Sequence, residues 1–195
     1  MKTALDYGLG LLALILTSPL LLLIAIAVKI DSWGPVFYRR RVVGRGGRLF
    51  DAFKFRTMRA DADEWLVRHP EWAVENRGGR KLRDDPRVTR VGRWLRRSSL
   101  NELPQLLNVL AGQISLVGPR MVTPPELEGH DEWRRALICV KPGLTGLWQV
   151  SGRDDLPLEE RIRLDIHYVE HRSFAMDIRI LLKTIPAVLR GRGAY

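Results

Sequence analysis

Residues 98–120 run SSLNELPQLLNVLAGQISLVGPR, from Ser98 to Arg120. Ser98 or Ser99 can cap a helix start, and Glu102, three residues after Ser99, completes a capping box. Leu100, Leu103, Leu106, Leu107 and Leu110 recur at helical spacing and predict one apolar stripe. Asn101, Glu102 and Gln105 fall off that stripe, at a helix start whose amides favour negative charge. Gly112 ends the predicted helix. Ile114 to Val117 reads as a short buried strand that delivers Gly118-Pro119-Arg120 into a loop. An acid and an amide at a helix start, followed by an arginine loop, suit phosphate and metal. An amphipathic helix whose Glu102 only caps its own end would have the same spacing.

The wording of this stretch resembles the bacterial sugar transferases, the monotopic phosphoglycosyl transferases that start glycan assembly on a polyprenyl phosphate. Their usual wording is T-S-L-D-E-L-P-Q-L-x-N-V-L-x-G-x-M-S-L-V-G-P-R. The chain departs from it at the catalytic aspartate, which is Asn101 here.

Upstream, no charged residue occurs from Tyr7 to Val28. As a helix that run covers ~33 Å, against a hydrocarbon core of ~30 Å. Ser18-Pro19 sits in its middle, where proline removes a backbone donor and a serine hydroxyl can satisfy the freed carbonyl. The segment therefore either spans the bilayer or enters and turns back. The resemblance favours re-entry, because family members carry a Ser-Pro break with both ends on the cytoplasmic face. Lys2 stands alone before the run, whereas Lys29, Arg39, Arg40, Arg41, Arg45 and Arg48 follow it, which places the bulk of the chain in the cytoplasm.

Val36 to Tyr38 and Phe50 to Phe55 read as a hairpin around Gly44-Arg45-Gly46-Gly47-Arg48, with Trp33 as an interfacial anchor. Alternation in Phe53-Lys54-Phe55-Arg56 predicts aromatics facing the core and Lys54 and Arg56 facing the other side. With Gly34-Pro35-Val36-Phe37, this segment resembles the second family signature, G-P-V-F-…-K-F-R-T-M. Ala60 to Val74 reads as helix interrupted by Pro70, and Asn76 to Arg80 as a loop. A further helix is expected from Asp84-Asp85-Pro86-Arg87, with Val91, Trp94 and Leu95 on one face and arginines around it. Thr123 to Glu126 starts a short helix. Pro142-Gly143-Leu144-Thr145-Gly146-Leu147-Trp148-Gln149-Val150-Ser151-Gly152-Arg153 resembles the third signature, P-G-x-T-G-x-x-Q-V-x-G-R. Pro157 to His171 reads as a charged helix and Asp177 to Leu189 as an amphipathic one that can lie in the headgroup plane.

The chain has 195 residues and a net charge of +10, which calls for an anionic partner. Nucleic acid is not expected, since the arginines are dispersed among membrane-compatible aromatics and no recognition module is evident. Cys139, the only cysteine, excludes an internal disulfide and reads as a buried thiol. His167 and His171 have metal-ligand spacing, yet no H-E-x-x-H pattern accompanies them.

These readings predict an α+β fold with a re-entrant membrane segment over 1–30 and a cytoplasmic-face catalytic domain over 31–195, with short strands and amphipathic interfacial helices. The resemblance implies transfer of a sugar phosphate from a nucleoside diphosphate sugar to polyprenyl phosphate at the bacterial inner membrane, through a covalent phosphosugar-enzyme intermediate. It implies Mg2+ at the 101–102 dyad, and Lys54, Arg56, Arg120 and Arg153 around the diphosphate. Asn101 lacks the nucleophilic carboxylate, and Glu102 points elsewhere. Either the residue is a deliberate substitution, or the chain is a family member that has lost or altered the chemistry. A membrane-anchored binding protein without turnover is the alternative function.

Overall fold

The computed structural model describes residues 2–75 and 85–190; the Asn76–Arg80 loop and Asp84 lie outside them. Helices and strands are mixed. The order is α1 (Lys2–Asp31), β1 (Phe37–Val43), β2 (Leu49–Phe55), α2 (Ala62–Arg68), α3 (Pro70–Glu75), α4 (Arg90–Ser98), α5 (Leu106–Leu110), β3 (Ser115–Val117), α6 (Asp131–Ile138), β4 (Gly143–Thr145), α7 (Leu158–His171) and α8 (Phe174–Arg190). β1 and β2 form an antiparallel hairpin, with Phe37 opposite Phe55 and Val43 opposite Leu49. β3 and β4 pair in parallel.

α1 is long and apolar enough to cross a membrane. The expected helix–break–helix is replaced by one continuous helix with Pro19 inside it. The reason is local. Pro19 deprives the Ile15 carbonyl of its donor, and the Ser18 hydroxyl donates to that carbonyl at 2.8 Å. The Thr17 hydroxyl also donates to the Ala13 carbonyl, at 2.7 Å.

Both ends of α1 are fastened to the rest of the chain. Lys2 donates to Asp177 and to the Val117 carbonyl, while Asp6 accepts from the Ser115 hydroxyl and the Leu116 amide. At the other end Asp31 accepts the Val91 amide, and Ile24 and Val28 pack with Phe55 and Leu95. Between these anchors Leu11, Leu12, Ile15, Leu16, Leu22 and Leu23 are exposed.

The main core joins Val42, Phe50 and Ala52 of the hairpin to Leu106, Val109, Ile114, Val117, Tyr168 and Ile180. This corrects the expected facing of β2. Phe50, Ala52 and Lys54 share the inner face; Phe55 is buried on the opposite face against α1 and α4. The hairpin end is covered on both sides, so alternation of aromatics does not mark its core face.

Gly118 and Gly143 bring the two short parallel strands together. A Cβ on Gly143 would lie 2.1 Å from the Gly118 nitrogen, so neither position has room for a side chain. The glycine that ends α5 is Gly112, at φ +71.

Other expectations shift by a few residues. α4 starts at Arg90 with Thr89 as its cap, and Asp85 and Arg87 form a buried pair in the turn before it. Val91 is half-buried and Leu95 buried, but Trp94 is exposed. Cys139 is exposed rather than buried.

Candidate active site

The 98–120 stretch does not fold as one helix. Ser98 ends α4, and Ser99 takes a left-handed conformation at φ 58. Leu100–Gln105 form a 3-10 turn containing Pro104, and α5 follows with five residues. Proline at the fifth turn position blocks an α-helical start. Ser99 makes no capping bond to this turn, so the expected capping box is absent. Its hydroxyl instead accepts from Arg153 at 2.6 Å.

Asn101 and Glu102 are both half-buried on this turn. A 3-10 turn has about 3 residues per turn, so their side chains diverge by roughly 120°. Lys54 donates to Glu102 Oε1 at 2.6 Å, and an Arg120 nitrogen lies 3.9 Å from the same oxygen. Burial pulls the Lys54 ammonium below its ordinary pKa, although Glu102 pulls the other way. Lys54, Glu102 and Arg120 line one small pocket with Arg40, Leu144 and Gln149.

The four predicted basic contacts separate into three groups. Lys54 and Arg120 meet at Glu102. Arg153 is held at the start of the turn, donating to Ser99 and to the Ala187 carbonyl. Arg56 is placed elsewhere: it is buried and donates at 2.6, 2.6 and 2.8 Å to the carbonyls of Pro35, Trp33 and Ser32. The expected face shared by Lys54 and Arg56 therefore does not form. The cause is that β2 ends at Phe55, and the chain beyond it follows the turn after α1.

Arg40 was not among the predicted contacts, yet it lines the pocket. Its guanidinium donates to Glu126 at 2.7 Å. Burial alone would raise the Glu126 carboxyl, but Arg40 and the Thr123 hydrogen bonds outweigh it and hold it low. A signal was available: Arg40 is two residues before buried Val42, so strand alternation turns it inward.

The sequence pattern of the bacterial sugar transferases matches residues 1–191. The chain belongs to that family. It is similar to the exopolysaccharide production protein ExoY of Sinorhizobium fredii (strain NBRC 101917 / NGR234), at 46% identity over 100% of this chain and 88% of the relative. The undecaprenyl-phosphate galactose phosphotransferase of Salmonella typhimurium is 43% identical over 100% of this chain and 42% of its own length. The UDP-glucose:undecaprenyl-phosphate glucose-1-phosphate transferase of Caulobacter vibrioides is 42% identical, over 100% of this chain and 72% of its own length. Within this family frame, the Lys54–Glu102–Arg120 pocket beside position 101 is the candidate active site.

A carboxylate and an amide oxygen are chemically admissible Mg2+ ligands, since that ion needs only one or two carboxylates alongside substrate phosphates. Glu102 offers the carboxylate, with Lys54 competing for it, while the Asn101 side chain diverges from it by roughly 120° and does not line the pocket. Among the described residues, no group of three or more His, Cys, Asp or Glu side chains is placed to hold a metal ion.

Proposed function

We propose that this protein is a monotopic phosphoglycosyl transferase scaffold that binds a nucleoside diphosphate sugar and polyprenyl phosphate at the cytoplasmic face of the bacterial inner membrane. The observation that carries the reading is the cationic pocket around Glu102, the residue that follows position 101 in the chain. Arg40, Lys54 and Arg120 come from three separate segments, and such a cluster suits a diphosphate. Glu102, together with the substrate phosphates, would hold Mg2+, which when bound offsets phosphate charge.

With aspartate at 101 the chemistry is a double displacement. A carboxylate oxygen attacks the sugar-linked phosphorus, the bond to the nucleoside monophosphate breaks, and that monophosphate leaves. An oxygen of the lipid phosphate then attacks the same phosphorus and releases the carboxylate. Asn101 has a neutral, delocalised amide oxygen, so the chain as given binds without turnover. This favours the alternative reading, a membrane-anchored binding protein, for the sequence as it stands.

The test is Asn101→Asp, assayed for monophosphate release from UDP-galactose and UDP-glucose with undecaprenyl phosphate. Release that rises by orders of magnitude, together with a phosphosugar mass adduct on residue 101, supports the transferase reading. Robust turnover by the Asn101 form with no gain from Asn101→Asp would place the nucleophile elsewhere, with Glu102 next to test.

The monotopic reading is supported by the two anchored ends of α1. A span would put the two ends on opposite sides of the bilayer, where one domain could not bond both. Here polar groups at both ends bond one domain, while the exposed apolar middle is left for lipid. A cysteine at Thr3, in a Cys139→Ser background, should be labelled only from the cytoplasmic side. Labelling from the periplasm alone would overturn the topology.

A further inference from the structure

Behind the pocket lies a charged group that neither the pocket nor the core explains. Asp165 of α7 is fully buried. The Trp133 indole donates to its Oδ2 at 3.2 Å, while Oδ1 has no hydrogen-bond partner. An unpaired buried carboxylate oxygen is costly, and an apolar residue would serve packing better.

Its surroundings point to a use. The Arg120 backbone amide and the Trp148 indole lie close enough to favour the ionised carboxyl without completing a bond to Oδ1, and Arg120 is the charge that bears on it. The Trp148 ring in turn carries the Arg120 guanidinium 5.5 Å from its centroid and that of Arg161 at 5.1 Å. Arg161 lies one helical turn before Asp165, on the same face of α7. Arg120 then reaches Glu102. Arg120 is therefore a neighbour of Asp165 and Trp148 as well as of Glu102.

We propose that Asp165 is a positioning residue, whose carboxylate fixes the Trp148 indole and the Arg120 backbone so that the Arg120 guanidinium is held beside Glu102 to receive a diphosphate. The proposal rests on reading that pocket as a diphosphate site. Burial pushes the Asp165 carboxyl up to about 7, so its charge changes near neutral pH. As it ionises it becomes a stronger acceptor, and the hold on Arg120 tightens. The groups around it are Arg120 from the loop after β3, Trp148 from the turn after β4 and Trp133 from α6, with His130 edge-on to Trp133 at 6.0 Å; Arg161, one turn earlier on α7, lies over the Trp148 ring.

The experiment uses the full Asn101 chain in nanodiscs, following the Arg120 Nε–H and Trp148 indole resonances between pH 5 and 9. Both should move with one midpoint near 7. That titration should vanish in Asp165→Asn and persist in His130→Gln. If Asp165→Asn does not fold, Trp133→Phe removes only the indole donor and should raise the midpoint. Affinity for UDP is measured in parallel. Asp165→Asn should weaken it about tenfold, and Arg120→Ala should cost far less in the Asp165→Asn background than alone. Arg120 resonances that ignore the titration, an unchanged midpoint in Trp133→Phe, or strictly additive losses would each overturn the proposal. A wild-type chain that does not bind UDP would sink the diphosphate reading of the pocket, while the resonances still decide whether Asp165 positions Arg120.

Discussion

Lys54 and Arg56 are two residues apart in one Lys-Phe-Arg segment, yet their charges are used differently. Lys54 leaves the inner face of β2 and meets Glu102 in the pocket. Arg56 turns back to three carbonyls just after α1 and holds that end of the long apolar helix against the rest of the chain. The pocket cation keeps a carboxylate partner that a ligand can compete with. The clasp cation has its donors committed to backbone. Charge and signature membership do not distinguish binding residues from structural ones; the acceptors do.

The sharpest break in this comparison is to remove each cation in turn. In the Asn101→Asp background, Lys54→Met should cut monophosphate release by about a hundredfold or more, consistent with loss of a charge that faces transition-state phosphate. Its melting temperature should change little, because Glu102 retains Arg120 nearby. Arg56→Met should do the reverse. Three carbonyls lose a charged donor, and charge-assisted bonds contribute roughly 1.5–3 kcal/mol each, so a loss of several kcal/mol and poor folding are expected. Thermal unfolding and turnover, measured on both variants, decide the matter. Equal loss of stability from both changes would erase the distinction.

That contrast also marks what was legible in the sequence. The long apolar helix, the hairpin, the Ile114–Val117 strand, the Gly112 stop and the two C-terminal helices all follow from periodicity and turn residues. The 98–110 segment hides its break: the leucine spacing suits an α-helix, while the stretch holds Pro104 in a 3-10 turn and Ser99 is left-handed. Alternation turns Lys54 to the wrong face because Phe53 and Phe55 mark their own side as the core, whereas Phe55 is buried by α1 and α4 from far away in the chain. Arg40 is masked by the arginines on either side of it. Nothing local announces Asp165: its burial is produced by α6 and the 148–150 turn folding over α7.

A second way to sharpen the comparison is pH, since Asp165 is a buried charge retained at a cost to the fold. Its folded pKa is raised to about 7, above the ordinary carboxylate value of 3.8. The folded state therefore holds its proton while the unfolded chain has lost it. This contribution to stability is present at low pH and is lost as pH rises from about 4 through about 7. At about 1.4 kcal/mol per pKa unit, the ceiling is roughly 4 kcal/mol. Asp165→Asn should thus gain stability over wild type more at pH 8 than at pH 5, with denaturant melts as the measurement. A constant difference across that range would mean that the carboxyl titrates at its ordinary value. The same variant should bind diphosphate worse, so stability and binding move in opposite directions.

The smallest expected effect concerns the Ser99–Arg153 contact, where the only two non-glycine residues with positive φ among those described meet each other. A left-handed conformation costs a non-glycine residue about 1–2 kcal/mol. The Ser99 hydroxyl offsets this by accepting from a guanidinium. Ser99→Ala keeps the strain and loses the bond, so it should destabilise by about 1.5–3 kcal/mol. Ser99→Gly loses the bond and releases the strain, so it should be the milder change by about 1 kcal/mol, even after glycine's extra unfolded-state freedom is counted. Urea melts of the two variants give that difference directly. If Ser99→Gly is the worse of the two, the turn ahead of Asn101 stores no strain, and Arg153 is held there by its bond to Ala187 and by packing alone.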